Sequence, residues 1–270
     1  MRKKGLSVML CAAMAASLLA GCGGGNKPAE TTAAPAAAET TAAAADTTAA
    51  PEKSEAETEA EAKDDAASGD LIVVGYAQVG AESDWRTANT ESFKSTFTEE
   101  NGYKLIFDDA QQKQENQIKA IRSFIQQDVD YIVVAPVVET GWEAVLQEAQ
   151  EAGIPVILSD RQMDVDESLY ECWVGGNFIK EGETAGNWLA DYLKAQGRDG
   201  EDINIVTLQG TIGASAQVGR TEGFGNILKQ HDNWKMLDMQ TGEFTQAKGQ
   251  EVMESFLKSY DNIDVVVAEN

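Results

Sequence analysis

The sequence predicts an α/β fold in which parallel sheets are covered by helices on both faces. From Asp70 onward, short apolar segments alternate with longer amphipathic ones. Continuous apolar strands are typical of parallel sheets, because helices bury both faces of such a sheet. Eight strands are predicted: Leu71–Val74, Lys104–Phe107, Tyr131–Ala135, Pro155–Leu158, Tyr170–Val174, Ile203–Leu208, Lys235–Met239 and Asp264–Ala268.

The segments between these strands have helical character. Asn101-Gly102 ends the first and Gly153 ends the third, while Ile118, Ile121 and Ile125 share one face of the second. The predicted helices are Trp85–Glu100, Glu115–Gln127, Trp142–Ala152, Lys180–Ala195, Arg220–Lys229 and Ala247–Ser259. Because the alternation runs in two series that join near residues 174–178, we expect two similar lobes.

The first 22 residues have the pattern of an export signal. Arg2–Lys4 is positively charged, and the apolar run Leu6–Ala20 is too short to span a bilayer permanently. Leu19–Cys22 resembles the lipobox of bacterial lipoproteins, which implies cleavage before Cys22 and attachment of a lipid to its thiol. We therefore expect a protein anchored by lipid on the outer face of the cell membrane. The alternative is an ordinary signal peptide with an incidental cysteine.

Composition separates a tether from the folded part. Residues 23–69 are mostly Ala, Thr, Glu and Pro without a large apolar side chain, which predicts a disordered tether. The net charge of −24 argues against nucleic acid as a partner, because phosphates are bound by clustered cations. With Cys11 in the signal and Cys22 lipidated, Cys172 has no disulfide partner, and we expect it to be a buried small apolar residue.

Polar and aromatic residues follow several of the predicted strands. In open parallel sheets, ligands bind beyond the carboxyl ends of the strands. Carboxylates and guanidinium groups bind hydroxyls in fixed directions, and aromatic rings pack on the apolar face of a sugar. The candidate ligand-binding residues are Glu82, Trp85, Arg86, Asp160, Arg161, Arg220, Phe244 and Asn270. Acidic residues at helix starts are alternatively caps, and Asp160 with Arg161 is alternatively a local ion pair.

The sequence carries few features of an enzyme. His231 is the single histidine, and the chain has no Gly-x-Ser-x-Gly motif, no phosphate loop and no Cys/His metal spacing. The adjacent carboxylates Asp108 and Asp109 suggest glycoside hydrolysis only weakly, because neighbours in a turn rarely face one bond. We expect a protein without catalytic activity, cofactor or metal.

Four runs resemble the sugar-binding lipoproteins and periplasmic components of ABC importers. They are Gln78–Arg86, Gln111–Ala120, Ala135–Trp142 and Leu208–Ser215. Within the ribose- and galactose-binding family, the chain is most similar to the galactofuranose-binding branch, over about residues 71–270. The resemblance implies a type I periplasmic-binding-protein fold with two lobes. The expected domains are a signal peptide and lipobox at 1–22, a tether at 23–69, an N-terminal lobe at 70–176 and a partial C-terminal lobe at 177–270.

The resemblance also implies roles for individual residues. Asp160 and Arg161 resemble the family's Asp-Arg pair that grips sugar hydroxyls, and Arg220 resembles a second-lobe arginine that contacts the sugar. Phe244 takes the place of an aromatic that packs on the sugar. Asn270 resembles the asparagine of an Asn-Asp motif.

Two departures from the ribose binders concern the choice of sugar. Trp85 and Arg86 stand where those proteins carry paired phenylalanines, and Ala135 stands where they carry asparagine. These departures imply a sugar other than ribose.

The implied function is capture of galactofuranose or a galactose-like monosaccharide between lobes that close, followed by delivery to a membrane permease. A receptor that reports to a membrane sensor kinase is the alternative. A sugar-responsive transcription regulator would need a helix-turn-helix where this chain has an export signal. Because the chain stops directly after a strand, we expect an incomplete second lobe and weak sugar binding, the alternative being a complete protein with a small second lobe.

Overall fold

A computed structural model describes residues 71–269, in which eight strands form two parallel sheets. The expectations for Cys22, for the tether and for Asn270 lie outside the described residues. In the first sheet the strand order is β2-β1-β3-β4-β5, and in the second it is β7-β6-β8. The strands are β1 Ile72–Gln78, β2 Tyr103–Asp109, β3 Tyr131–Val134, β4 Val156–Ser159, β5 Cys172–Val174, β6 Ile203–Gln209, β7 Trp234–Thr241 and β8 Val265–Ala268.

Six α-helices connect these strands, as the sequence predicts. They are α1 Asp84–Thr96, α2 Gln114–Gln126, α3 Glu143–Glu151, α4 Phe178–Ala195, α5 Ser215–Leu228 and α6 Gln246–Ser259. Short 3₁₀ turns at Glu99–Asn101 and Glu167–Leu169 complete the connections. The α/β class with two parallel sheets is therefore confirmed. The largest difference is the start of α5, which begins five residues before the predicted Arg220.

The first sheet buries apolar side chains on both faces. On one face, Ile121 of α2 is fully buried, and its predicted neighbours Ile118 and Ile125 are half-buried against the same core. On the other face, the buried ring of Tyr76 stacks on Phe93 of α1 with centroids 4.0 Å apart. Each fully buried large apolar side chain contributes roughly 1.5–3 kcal/mol. This packing holds the start of α1 at the carboxyl edge of the sheet.

Helices α4 and α5 lie on one face of the second sheet and α6 lies on the other. Ile203 and Ile205 of β6 pack with Leu189 of α4, whereas Val206 packs with Phe256 of α6. Neighbouring residues of a strand face opposite sides of its sheet, so this division follows from the apolar sequence of β6. None of the helices formed by residues 71–269 combines the length and apolar character needed to cross a membrane.

The expectation that Cys172 is buried is wrong, because its side chain is exposed. Cys172 lies on β5, the edge strand of the first sheet, and shares a face with Val174, which is 66% exposed. Trp173 between them faces the opposite side and packs against the core. The apolar run was correctly predicted as a strand, but this face of the edge strand is exposed.

Candidate functional site

The carboxyl ends of the two sheets border a cavity of about 450 Å³. Its lining comes from the loop after β1, the start of α1, the end of β4, the starts of α4 and α5, and the turn after β7. The lining residues are Glu82, Ser83, Trp85, Arg86, Asp160, Arg161, Gly176, Phe178, Glu181, Ala216, Arg220 and Phe244. The structure thus brings together seven of the eight predicted ligand-binding residues, and the eighth, Asn270, lies outside the described residues.

Arg86 enters the cavity from the first turn of α1. The Ser83 side chain caps that helix by accepting a hydrogen bond from the Arg86 backbone N–H at 3.2 Å. The Arg86 guanidinium donates to Asp160 Oδ2 at 2.7 Å and to Glu82 Oε1 at 3.1 Å. Burial acts to lower the pKa of Arg86, but Asp160 and Glu82 more than offset it and hold the pKa above its usual value. Arg86 is therefore a permanent, fixed cation.

Arg161 lies beside Arg86 and is equally buried. Its Nη2 donates to Glu82 Oε1 at 3.3 Å, and its Nε is 3.9 Å from Asp160 Oδ2. Burial, with the nearby positive charge of Arg86, lowers the pKa of Arg161 to about 10. The group is still protonated at neutral pH. Two cations can share this site because two carboxylates lie between them.

One carboxylate oxygen in the cavity wall has no hydrogen-bond partner among residues 71–269. Glu82 Oε1 accepts from both Arg86 and Arg161, while Oε2 is buried and unpaired. The Glu82 side chain is only 2% exposed. A buried carboxylate oxygen without a donor is costly, and Glu82 Oε2 carries that cost in the free site.

Arg220 of α5 reaches the cavity from the second sheet. Its Nε donates to Glu181 Oε2 of α4 at 2.9 Å, its Nη1 donates to the backbone oxygen of Glu269, and its guanidinium lies 5.1 Å from the ring centre of Phe178. Burial raises the pKa of Glu269, although its carboxylate accepts from Thr221 and from a backbone N–H. These contacts fix the direction of Arg220.

Phe244 joins the two sides of the cavity. Its ring lies 4.8 Å from the guanidinium carbon of Arg161, a cation–π distance. The ring also occupies the space beside Gly210, where an added Cβ would lie 1.9 Å from the ring. Phe244 has φ 58° and Asp160 has φ 63°, both left-handed. Such strained backbone is found at ligand sites, where the surrounding structure imposes it.

A second cavity, of about 540 Å³, continues from the first. The two share Glu82, Ser83, Trp85 and Phe244 as lining residues. The second is otherwise bordered by the carboxyl ends of β6 and β8 and by the start of α6. The cavities are therefore two parts of one cleft, which the Trp85 side chain, 57% exposed, borders throughout.

Sequence reasoning missed several lining residues, notably Phe178 and Glu181 at the start of α4. Nothing in the local sequence marks them, because Glu181 reaches the site through Arg220, 39 residues away in the chain. The paired Asp108 and Asp109 do not line the cleft. Asp109 instead accepts a backbone hydrogen bond in the turn after β2, at 2.8 Å from Gln111 N. Within residues 71–269, no group of three or more His, Cys, Asp or Glu side chains is placed to hold a metal ion.

Residues 74–270 match the family model of a periplasmic binding protein domain. The galactofuranose-binding protein YtfQ of Escherichia coli (strain K12) is 50% identical over 192 residues, which are 71% of this chain and 58% of that protein.

Two solved structures are similarly close. One, from Mycobacterium smegmatis in complex with β-D-fucofuranose, is 52% identical, with a TM-score of 0.70, over 73% of this chain and 64% of that one. The other is the binding component of an arabinose ABC transporter from Shewanella sp. ANA-3, bound to α- and β-L-arabinofuranose. It is 49% identical, with a TM-score of 0.67, over 73% of this chain and 64% of that one. The chain thus spans less than two thirds of the length of these relatives.

Proposed function

Because this chain belongs to the family of periplasmic binding proteins, we propose that it captures a neutral monosaccharide for an ABC importer. The ligand is a galactofuranose-like sugar held between two lobes, residues 70–176 and 177–270. The ligand-binding residues are those that line the cleft, with Asn270 added from the family resemblance. No catalytic step is part of this proposal.

The charge balance of the cleft is the observation that carries the proposal. The cavity of about 450 Å³, where the buried charges lie, is lined by three guanidinium groups, Arg86, Arg161 and Arg220, and three carboxylates, Glu82, Asp160 and Glu181. A site with equal numbers of fixed cations and anions has no net attraction for a charged ligand. It does offer many donors and acceptors, which suit a molecule whose hydroxyls both donate and accept. A neutral polyol fits this description, and a sugar acid or sugar phosphate does not.

Size and shape support a monosaccharide. A cavity of about 450 Å³ is in the range of small-molecule sites. Trp85, Phe178 and Phe244 line this cavity, and the C–H face of a sugar ring can pack against aromatic rings. Three relatives carry names or ligands that are furanoses, namely galactofuranose, fucofuranose and arabinofuranose. This supports a five-membered ring as the preferred form.

Contacts between the two proposed lobes support a mechanism in which the lobes close around the sugar. The Glu139 backbone N–H donates to the Gly213 oxygen at 2.8 Å, and the Gln162 N–H donates to Ser215 Oγ at 2.9 Å. A ligand that touches both halves favours the state in which they are close, by the amount of its extra contacts there.

The proposed ligand class is tested by saturation-transfer NMR, which detects weak complexes that exchange rapidly, together with titration calorimetry, which detects tight ones. Galactose, galacturonate and galactose 6-phosphate are each mixed with the purified chain, and their signals are compared. We expect signals from galactose only. Equal or stronger signals from either anion would overturn the charge-balance argument. The Asp160→Asn variant, which tolerates the left-handed backbone, should lose the galactose signal, while the exposed Asp166→Asn should keep it.

We further propose that Cys22 carries the lipid that anchors the protein on the outer face of the membrane, with residues 1–22 as signal and 23–69 as tether. The lipobox-like run Leu19–Cys22 supports this. Two acyl chains on one cysteine suffice for stable attachment, whereas one is marginal. Cys22→Ser should move the protein from the membrane to the aqueous fraction with sugar binding unchanged. Retention on membranes would contradict the anchor.

The importer partner is tested by reconstitution with the permease and ATPase of an ABC sugar importer. We expect sugar-loaded chain to stimulate ATP hydrolysis. A chain that bound sugar but left hydrolysis unchanged would instead fit the alternative, a receptor that reports to a membrane sensor kinase.

A further inference from the structure

Gln117 of α2 is a fully buried amide that uses both its donors and its acceptor. Its Nε2 donates to the backbone oxygens of Ala77 at 3.1 Å and Ala135 at 2.6 Å, and its Oε1 accepts from Val137 N at 2.9 Å. A buried amide with three short hydrogen bonds to backbone determines the position of the segments that it joins.

These segments leave the carboxyl ends of β1 and β3, where the chain order of the first sheet reverses. From Ala77 the chain continues toward Glu82 in the cleft. From Ala135 it continues into residues 136–137, whose backbone oxygens both accept from Arg161 Nη1, at 3.5 Å and 3.3 Å. Gln117 therefore binds the backbone that holds one nitrogen of Arg161.

We propose that Gln117 is a positioning residue for ligand binding, acting through Arg161. A guanidinium is a rigid planar fork, so two acceptors at Nη1 set the direction of Nη2 and Nε as well. Nη2 then meets Glu82 Oε1, and the ring of Phe244 lies against the plane. The inference rests on the proposed function for its effect on sugar affinity, but the ordering of Arg161 is a property of the free protein.

Two neighbours on α2 provide matched comparisons. Gln114 Nε2 donates to the Thr140 oxygen at 2.6 Å, and Asn116 Nδ2 donates to the Ala110 oxygen at 3.0 Å. Both also tie a loop to the first turn of α2, but Thr140 and Ala110 lie three or more residues from the two acceptors of Arg161, whereas Gln117 binds Ala135 and Val137 on either side of them. Because Gln114 is less buried than Gln117, the two are compared by the motion of Arg161 and not by stability.

The first test needs no ligand. Rotation about the Nε–Cζ bond of Arg161 is measured by NMR with labelled arginine, and the signal is assigned by its loss in Arg161→Lys. We expect Gln117→Met to speed this rotation at least about tenfold and Gln114→Met to leave it unchanged, since removing the anchor frees Nη1. Equal rotation in the two variants would overturn the inference, whether or not the protein binds sugar.

The second test is a double-mutant cycle on sugar affinity. Gln117→Met and Arg161→Lys should each weaken binding by about tenfold, and the double variant should bind no worse than Arg161→Lys alone. Additive losses would show that Gln117 acts by another route and would overturn the inference. If Gln117→Met does not fold, Gln117→Asn replaces it in both tests, because it keeps an uncharged amide but is one methylene too short to make all three hydrogen bonds. The absence of sugar binding in the unchanged chain would refute the proposed function and leave the rotation test decisive for Gln117.

Discussion

At the scale of single residues, the cleft depends on buried guanidinium groups and carboxylates that neutralise one another. Arg86 and Arg161 are both about 95% or more buried, and each is accompanied by Glu82 and Asp160. Removing one member of such a buried set leaves an uncompensated charge, which is far costlier than losing an exposed pair. The carboxylates and guanidinium groups are therefore needed for the shape of the free site as well as for a ligand.

Arg161→Lys should weaken sugar binding by at least about tenfold, because lysine keeps the charge but cannot hold carbonyls, Glu82 and a hydroxyl in one plane. Titration calorimetry measures the change.

The matched control is Arg122→Lys. Arg122 also binds a carboxylate through two nitrogens, at 2.8 and 2.7 Å from Glu148, but this pair is exposed. We expect unchanged affinity and a stability change below about 1 kcal/mol. Equal effects of the two substitutions would argue against a special role of Arg161.

At the scale of elements, glycines let α4 and α5 approach closely and so place Arg220. A Cβ on Gly182 would lie 2.3 Å from the Arg220 oxygen, and one on Gly223 would lie 2.0 Å from the Ile179 oxygen. Backbone stands at both points, so a side chain would force the helices apart. Arg220 lies one turn before Gly223 on α5, and its side chain lines the cleft.

Gly223→Ala should destabilise the protein by roughly 1–3 kcal/mol and lower sugar affinity, since it displaces the helix that carries Arg220. Urea unfolding and calorimetry measure the two effects. Gly225→Ala on the same helix is the control, because nothing lies within 4 Å of its added Cβ. There, alanine should stabilise by about 0.4–1 kcal/mol. A Gly223→Ala variant as stable as the original would refute the close-packing argument.

The elements were more predictable than the contacts between them. Strand and helix positions follow from apolar periodicity, which is local in the chain, and α5 was misplaced because Ser215–Gly219 has no apolar pattern to mark it. The partners of Arg220 could not be predicted, because Glu181 and Glu269 lie 39 and 49 residues away. The exposure of Cys172 could not be predicted, because the sequence of a strand does not tell whether it lies at the edge of its sheet.

At the scale of the whole molecule, an ion pair at the start of β8 stabilises a chain whose net charge is −24. Asp264, just before β8, accepts from Asn204 N at 2.9 Å and from Arg198 Nη2 at 2.9 Å. The hydrogen bond from Asn204 N–H and the contacts with Arg198 lower the pKa of Asp264. Because the folded pKa lies below the unfolded value, this stability is present above about pH 4 and is lost as the pH falls through the folded pKa.

Asp264→Asn should therefore reduce the free energy of unfolding at pH 7 by about 1–3 kcal/mol and make its fall toward pH 3 shallower. Urea unfolding between pH 3 and pH 7 measures both. Asp261→Asn, at an exposed carboxylate three residues away, should change neither. A variant whose acid limb is as steep as that of the unchanged chain would contradict this assignment.

The central claim is that the cleft captures the furanose form of a neutral sugar, and one NMR measurement tests it directly. Galactose labelled with ¹³C at C1 interconverts between furanose and pyranose rings, so both ring forms compete for the cleft in one sample. The sugar is unsubstituted, so its anomeric hydroxyl is free in both forms. We expect the chain to broaden the minor furanose signals selectively, and Asp160→Asn to abolish the effect. Broadening of the pyranose signals alone, or none with either ring, would contradict the account.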